Sequence, residues 1–429
     1  MNRRCIAVVG LWWVALAPAA VGGILPPGAT VQQLVTGYGF TEGPLYDGAG
    51  GVLFSDMNRS DIVRYDIANK TAQIVDPNSG TSNGLIKNSA GNIISADRDR
   101  RQISLRSLAD LKVVETVLAS NWMGAAFNGP NDLVLDAAGG IYFTDPDYEN
   151  RRSTAEALYY RAPDGALSRL KTFAATGTVR RPNGVALSPG GSVLYLAVEM
   201  NKRIFAFDVG PNGVLSNERL FARTDVNAAG MTLPNITNGP DGLAIDAAGN
   251  VYCAVQNAVF VWSPAGDRLA DIPLPQDPTN AKFGGADGRT LFITAGGNNA
   301  ASLYSILLNV PAPALGDFDG DGSVTAADYT VWRDTLGAKE NLSADGNGNR
   351  VVDAGDYDVW KTRSGDVSGG GSQERGRGVP EPSGLALLLT CAGGALGRRQ
   401  MGRRSLKWTG NIASIGPYDV NSFPAADFG

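Results

Sequence analysis

Between residues 31 and 310 the apolar positions rarely follow the period of a long amphipathic helix. They come as short aliphatic or aromatic runs set off by polar, glycine-containing turns. One phrase returns six times. Ala49-Gly50-Gly51 leads into Val52-Leu53-Phe54, Ala90-Gly91-Asn92 into Ile93-Ile94, and Ala138-Gly139-Gly140 into Ile141-Tyr142-Phe143. Pro189-Gly190-Gly191 leads into Val193-Leu194-Tyr195, Ala248-Gly249-Asn250 into Val251-Tyr252, and Ala286-Asp287-Gly288 into Leu291-Phe292-Ile293. Glycine provides the positive φ of a tight turn, and the residues that follow suit a pleated strand. The turns recur every 40 to 60 residues or so, enough for four strands and their loops, the size of one propeller blade.

A further strand starts from a polar tip before several of these turns, as in Asn83-Gly84-Leu85-Ile86, Asn131-Asp132-Leu133-Val134-Leu135-Asp136, Asn183-Gly184-Val185-Ala186-Leu187 and Asp241-Gly242-Leu243-Ala244-Ile245-Asp246. Another strand follows the turn at Arg203-Ile204-Phe205-Ala206-Phe207-Asp208. The pattern predicts an all-β, six-bladed β-propeller over residues 30–311. Six repeats favour radial stacking over a two-sheet sandwich, because ring closure protects the edge strands.

Glu42, Asn83, Asn131, Asn183 and Asp241 fall at comparable entries to five successive blades. Any one Asn-Gly or Asp-Gly pair is also an ordinary turn former. Converging on one axis, two carboxylates and two or three amide oxygens make a hard oxygen cage suited to Ca2+, whose ligands lie at about 2.3–2.6 Å.

Composition sharpens this chemistry. The 429-residue chain has no histidine, which removes Ser-His-Asp and Cys-His catalysis and HExxH zinc hydrolysis. A net charge of -5 gives no electrostatic case for nucleic acid. Cys5, Cys253 and Cys391 are too few and too scattered for a zinc site or a disulfide framework.

The phrases Glu42-Gly43-Pro44, Asn131-Asp132-Leu133-Val134-Leu135-Asp136, Arg181-Pro182-Asn183-Gly184-Val185 and Pro240-Asp241-Gly242-Leu243-Ala244-Ile245-Asp246 resemble, in order and spacing, the SMP-30/gluconolactonase/luciferin-regenerating-enzyme-like family. The resemblance implies a propeller with a divalent cation at its channel mouth and hydrolysis of sugar lactones or related esters. It implies Glu42, Asn183 and Asp241 as metal ligands, and Asn131 as an amide that contacts either cation or substrate. Asp132 becomes a candidate substrate contact and Asn83 a weaker outer contact. Asp241, or failing that Glu42 or Asp132, would take the proton from water. Zn2+, Mn2+ or Mg2+ are alternatives to Ca2+ here. Two departures stand out: Gly129-Pro130 replaces an Arg-x pair before Asn131, and Asp97 falls where many members place His. The competing function is a noncatalytic propeller that binds an extracellular carbohydrate or protein.

Residues 317–328 read D-F-D-G-D-G-S-V-T-A-A-D. This places Asp317, Asp319, Asp321, Ser323, Thr325 and Asp328 at positions 1, 3, 5, 7, 9 and 12 of a calcium loop, with a backbone oxygen used at position 7. A second copy places Asp345, Asn347, Asn349, Val351, Asp353 and Asp356 likewise, with Arg350 where the first copy has Gly322. Each loop leads into a helical pattern, through Tyr329 and Trp332 and then Tyr357 and Trp360. The pair, residues 315–364, resembles a type I dockerin, which implies calcium-dependent folding and a cohesin-like protein partner.

The ends read as addresses. Residues 1–20 form a basic and then apolar stretch expected to be a secretory signal peptide, with an amino-terminal anchor as the alternative. Residues 365–382 are expected to be a flexible linker. Val379-Pro380-Glu381-Pro382, the apolar segment and the arginines of residues 383–404 resemble a PEP-CTERM sorting signal, which implies transient membrane contact and a surface location. Residues 405–429 are expected to be a disordered tail.

Overall fold

The computed structural model describes residues 23–372, apart from 152–153, 175, 177–178, 234–235, 321–322, 340–342, 348–350 and 368–370. Six four-stranded antiparallel sheets form the propeller. Blades one to five are consecutive in sequence, beginning at Thr41–Tyr46, Ser82–Lys87, Leu133–Leu135, Pro182–Leu187 and Leu243–Ile245. The sixth takes Pro278–Gly284, Thr290–Ala295 and Ala301–Leu307 from the far end of the repeat region and closes the ring with the amino-terminal strand Gln32–Tyr38. No blade edge is therefore left open between first and last.

Burial falls outward along each blade. All of Val251–Val255, a second strand, is buried, because neighbouring blades cover both its faces, and this explains the continuous apolar runs in the sequence. The outer strand Thr71–Asp76 is mostly exposed. Between the last and first blades, Phe292 and Leu303 pack with Val52, Phe54 and Val63.

Each repeated glycine turn joins the first and second strands of a blade. Asp47, Asn88 and Asp136 fasten such turns by accepting two backbone N–H groups each, Asp47 Oδ1 at 2.6 Å from Ala49 and 2.9 Å from Gly51. In the fourth blade the positive-φ glycine is Gly191 rather than Gly190, so the turn lies one residue later than expected.

The glycines after the polar tips serve a different purpose from turn formation. The first strands of adjacent blades meet at the axis, where Gly84 N donates to Asn131 O and Gly242 N to Thr279 O. A Cβ on Gly184 would run into Asp241 O and Gly242 Cα, and one on Gly242 into the Asn280 side chain. Gly184→Ala should thus destabilise the propeller by about 1–3 kcal/mol. Chemical denaturation measures this, and an unchanged midpoint would contradict the close approach.

Residues 311–365 continue from the propeller into two helices, α1 (Ala326–Thr335) and α2 (Ala354–Arg363). Each starts with a capping box, Thr325 with Asp328 and Asp353 with Asp356. The repeats are reciprocal: Trp332 Nε1 donates to Asp353 O at 2.7 Å and Trp360 Nε1 to Thr325 O at 2.6 Å. Gly337 N donates to Val352 O and Gly365 N to Val324 O, both at 2.8 Å. Within the segment expected to be a linker, Asp366–Val367 pairs with Gly371–Ser372. The stretches expected to be a signal peptide, a sorting segment and a tail lie outside the described residues. No helix among the described residues is long and apolar enough to cross a membrane.

Candidate metal centre

Antiparallel blades with short connections present the starts of all six first strands on one face of the ring. Glu42, Asn83, Asn131, Asn183 and Asp241 sit at five of these starts, and the first four are at most 6% exposed. Asn280 occupies the sixth. It hydrogen bonds to Glu42 and completes the ring, although no glycine follows it to advertise the position. Hydroxyls from second strands lock the ring backbone: Ser55 Oγ donates to Asn83 O at 2.9 Å and Thr144 Oγ1 to Asn183 O at 2.8 Å.

The ring's charges are poorly compensated. Burial and the Asp132 carboxylate push the Glu42 carboxyl up to about 8, against hydrogen bonds from Gly43 and Asn280 and the charge of Lys282. Burial, with Glu42, Glu199 and Asp132 close by, drives Asp241 well above the carboxylate range, against a hydrogen bond from the Asn183 side chain. The influence of Glu42 on Asp241 puts the two carboxyls within electrostatic reach of each other. Asn83 Oδ1, Asn183 Oδ1 and Asp241 Oδ1 are buried with no hydrogen-bond partner. Buried polar atoms are ordinarily paired, so three unpaired oxygens next to crowded carboxylates fit a hard divalent cation.

Asp132 is placed differently. It is buried, its Oδ1 accepts from Leu133 N at 2.9 Å and its Oδ2 from Val185 N at 3.4 Å, with Lys282 Nζ 3.8 Å from Oδ2. Asp97, by contrast, lies away from the ring, buried among Ser95, Ser104 and Arg106 inside the second blade. Asp145 is a structural carboxylate: it accepts from Asn128 N and Gly129 N, and burial pushes it up to about 7.

Four further side chains around the ring, Tyr148, Glu199, Arg181 and Lys282, escaped the sequence reading. Tyr148 OH donates to Glu199 Oε2 at 2.6 Å and accepts from Asn183 Nδ2 at 2.9 Å. Arg181 Nη1 lies 3.4 Å from Glu199 Oε1, and its guanidinium sits 4.9 Å from the Tyr148 ring centre. Lys282 donates to Leu243 O at 2.9 Å.

In the carboxyl-terminal loops, carboxylate oxygens of Asp317, Asp319 and Asp328 lie within 4.8 Å of one another. Asp328 Oδ1 accepts from Phe318 N and Asp319 N, and Asp356 Oδ1 from Asn347 N, so the last acid of each loop ties loop to helix. Asp345 is buried, while Ser323, Asn347 and Val351 are half-buried. Asp321 and Asn349 lie outside the described residues.

The profile described as SMP-30/gluconolactonase/LRE-like region matches residues 40–297. The chain belongs to the SMP-30/gluconolactonase/LRE-like family. A gluconolactonase of Zymomonas mobilis is 28% identical over 228 residues, which cover 51% of this chain and 61% of that enzyme. A 6-deoxy-6-sulfogluconolactonase of Pseudomonas putida is 31% identical over 158 residues, covering 34% and 52%. The chain thus spans between half and two thirds of the length of these SMP-30/gluconolactonase-like relatives. Among solved structures, the Xanthomonas campestris gluconolactonase superposes with a TM-score of 0.58 at 24% identity, covering 68% of this chain and 93% of that one. The calcium-binding protein regucalcin of Agrobacterium tumefaciens gives 0.56 at 19%, covering 68% and 97%. Both share the propeller fold.

Proposed function

We propose that the ring binds a divalent cation, Ca2+ by the hardness of its oxygen donors, and that the protein hydrolyses a sugar lactone or related ester there. The unpartnered buried oxygens of Asn83, Asn183 and Asp241 beside the Glu42 carboxylate carry this reading. Glu42, Asn183 and Asp241 would hold the cation, with Asn131 at the same mouth. When bound, the cation supplies Lewis-acid polarisation of the carbonyl and charge stabilisation for the developing oxyanion.

The chain's own residues do the rest. Asp241 is the acceptor for the proton of the attacking water, because its Oδ1 is not engaged by any protein donor. Asn131 orients the substrate at the neighbouring blade entry. Lys282 and Asn280 temper the negative charge around Glu42. The test is turnover of a panel of aldonolactones and aryl esters by the full chain. Tight cation binding with no turnover across the panel would favour a binding propeller instead.

We infer separately that the paired loops of residues 315–364 fold around calcium. The clustered acids Asp317, Asp319 and Asp328 support this, as does the reciprocal tryptophan bonding that makes each repeat depend on the other. Since α1 and α2 are the only α-helices among the described residues, chelation should remove most of the helical far-ultraviolet signal. A helical signal indifferent to chelation would exclude calcium as the organiser of this module.

A further inference from the structure

An asparagine amide can face a cation with oxygen or with nitrogen, and only the first is useful. We propose that Tyr148, held by Glu199, is a positioning residue that fixes the Asn183 amide with Oδ1 toward the ring and so sets the ring's affinity for its cation. The effect on affinity rests on the cation reading above; the fixing of the amide does not.

The polarity of the chain of hydrogen bonds dictates the orientation. A carboxylate oxygen accepts, and Tyr148 has a single hydroxyl hydrogen. That hydrogen goes to Glu199 Oε2, 2.6 Å away. The tyrosine oxygen can then only accept, so the group Asn183 presents to it at 2.9 Å must be the NH2. Its Oδ1 is left pointing the other way, buried and without a protein donor. A flipped amide would set its oxygen against the tyrosine oxygen with no hydrogen between them, and would aim two N–H groups at the cation.

The supports of this lock are themselves fixed. Arg181 Nη1 stands 3.4 Å from Glu199 Oε1, and the same guanidinium stacks 4.9 Å from the Tyr148 ring centre. The three residues come from two adjacent blades: Tyr148 follows Ile141–Asp145, whereas Arg181 and Glu199 flank the first two strands of the fourth. Partners that orient metal ligands in this way typically govern affinity by roughly 10–100-fold.

The experiment uses the full chain and two readouts. Nuclear magnetic resonance follows solvent exchange of the Asn183 side-chain amide protons, and calorimetry follows Ca2+ binding at the site that Asp241→Asn abolishes. Tyr148→Phe should strip protection from the amide proton directed at Tyr148 and weaken that site by roughly 10–100-fold. In an Asn183→Asp background the loss should largely disappear, because a carboxylate has no wrong face to present. Amide protons equally protected in wild type and Tyr148→Phe would overturn the inference, and so would the same affinity loss in both backgrounds. If the wild type binds no cation at the ring, the cation reading falls, while the exchange measurement still decides the amide lock.

Discussion

Asp241→Asn should abolish lactone turnover while making the chelated protein more stable. In the absence of a cation the wild-type chain must either keep the desolvated Asp241 carboxyl charged near Glu42 and Glu199 or give it a proton that the unfolded chain does not hold at neutral pH. Both cost folding free energy, and the amide removes the cost while preserving shape. Activity moves the other way, since on the proposed reading the variant loses a cation ligand and the acceptor for the water proton. We expect kcat/KM to fall by about 10²–10³-fold or more. Calcium should also lose most of its stabilising effect on the propeller. Thermal unfolding with chelator and with calcium, alongside kinetics, reads all three outcomes. A variant that is inactive but equally destabilised with and without chelator would point to a folding defect and against the ring as a strained, cation-seeking site.

The second large effect is on pH. Glu42 has a folded-state value of about 8 against an ordinary 4.5, so between these values the folded chain holds a proton that the unfolded chain has lost. Stability of the chelated protein therefore declines as pH rises through that window and levels off above it. Asp145, pushed up to about 7, adds to the decline with the same sign. Cation binding competes with protons for Glu42 and Asp241, so stabilisation by calcium should grow over the same range. Thermal melts of the chelated protein at acidic and at mildly alkaline pH measure the decline, and Glu42→Gln should flatten it. Chelated stability that rises with pH would contradict the crowded, uncompensated ring.

The architecture was legible because a propeller repeats its local chemistry. Every blade uses an apolar second strand covered on both faces and a turn that requires positive φ, and both leave marks on the sequence. The polar ring was legible in five blades because a glycine follows most of its members, although close strand approach, and not turn formation, is what demands that glycine at Gly184 and Gly242. Asn280 was missed because the same position in the sixth blade is followed by Ala281.

Tyr148, Glu199 and Arg181 belong to a different class. Their meaning lies in which donor meets which acceptor across two blades, and no local spacing encodes that. A partial signal did exist: an acid closes or follows the second strand of the first four blades, at Asp56, Asp97, Asp145 and Glu199. Three of these acids serve neighbouring loops or strands. Asp56 and Asp145, for instance, each accept from two consecutive backbone amides of the loop leading into their blade. Glu199 alone is turned to the ring, because Tyr148 reaches it from the preceding blade. Similarly, Asp132 looks like a substrate contact in sequence, yet two backbone amides occupy its carboxylate in the fold.

The central claim is that a cation held by Glu42, Asn183 and Asp241 supports hydrolysis of a lactone ring. The most direct measurement is lactone hydrolysis by the full chain before chelation, after chelation and after divalent cations are restored, with Asp241→Asn run in parallel. The account predicts turnover that chelation abolishes and calcium restores in the wild type alone. Turnover indifferent to chelation, or equally rapid in Asp241→Asn, would contradict it.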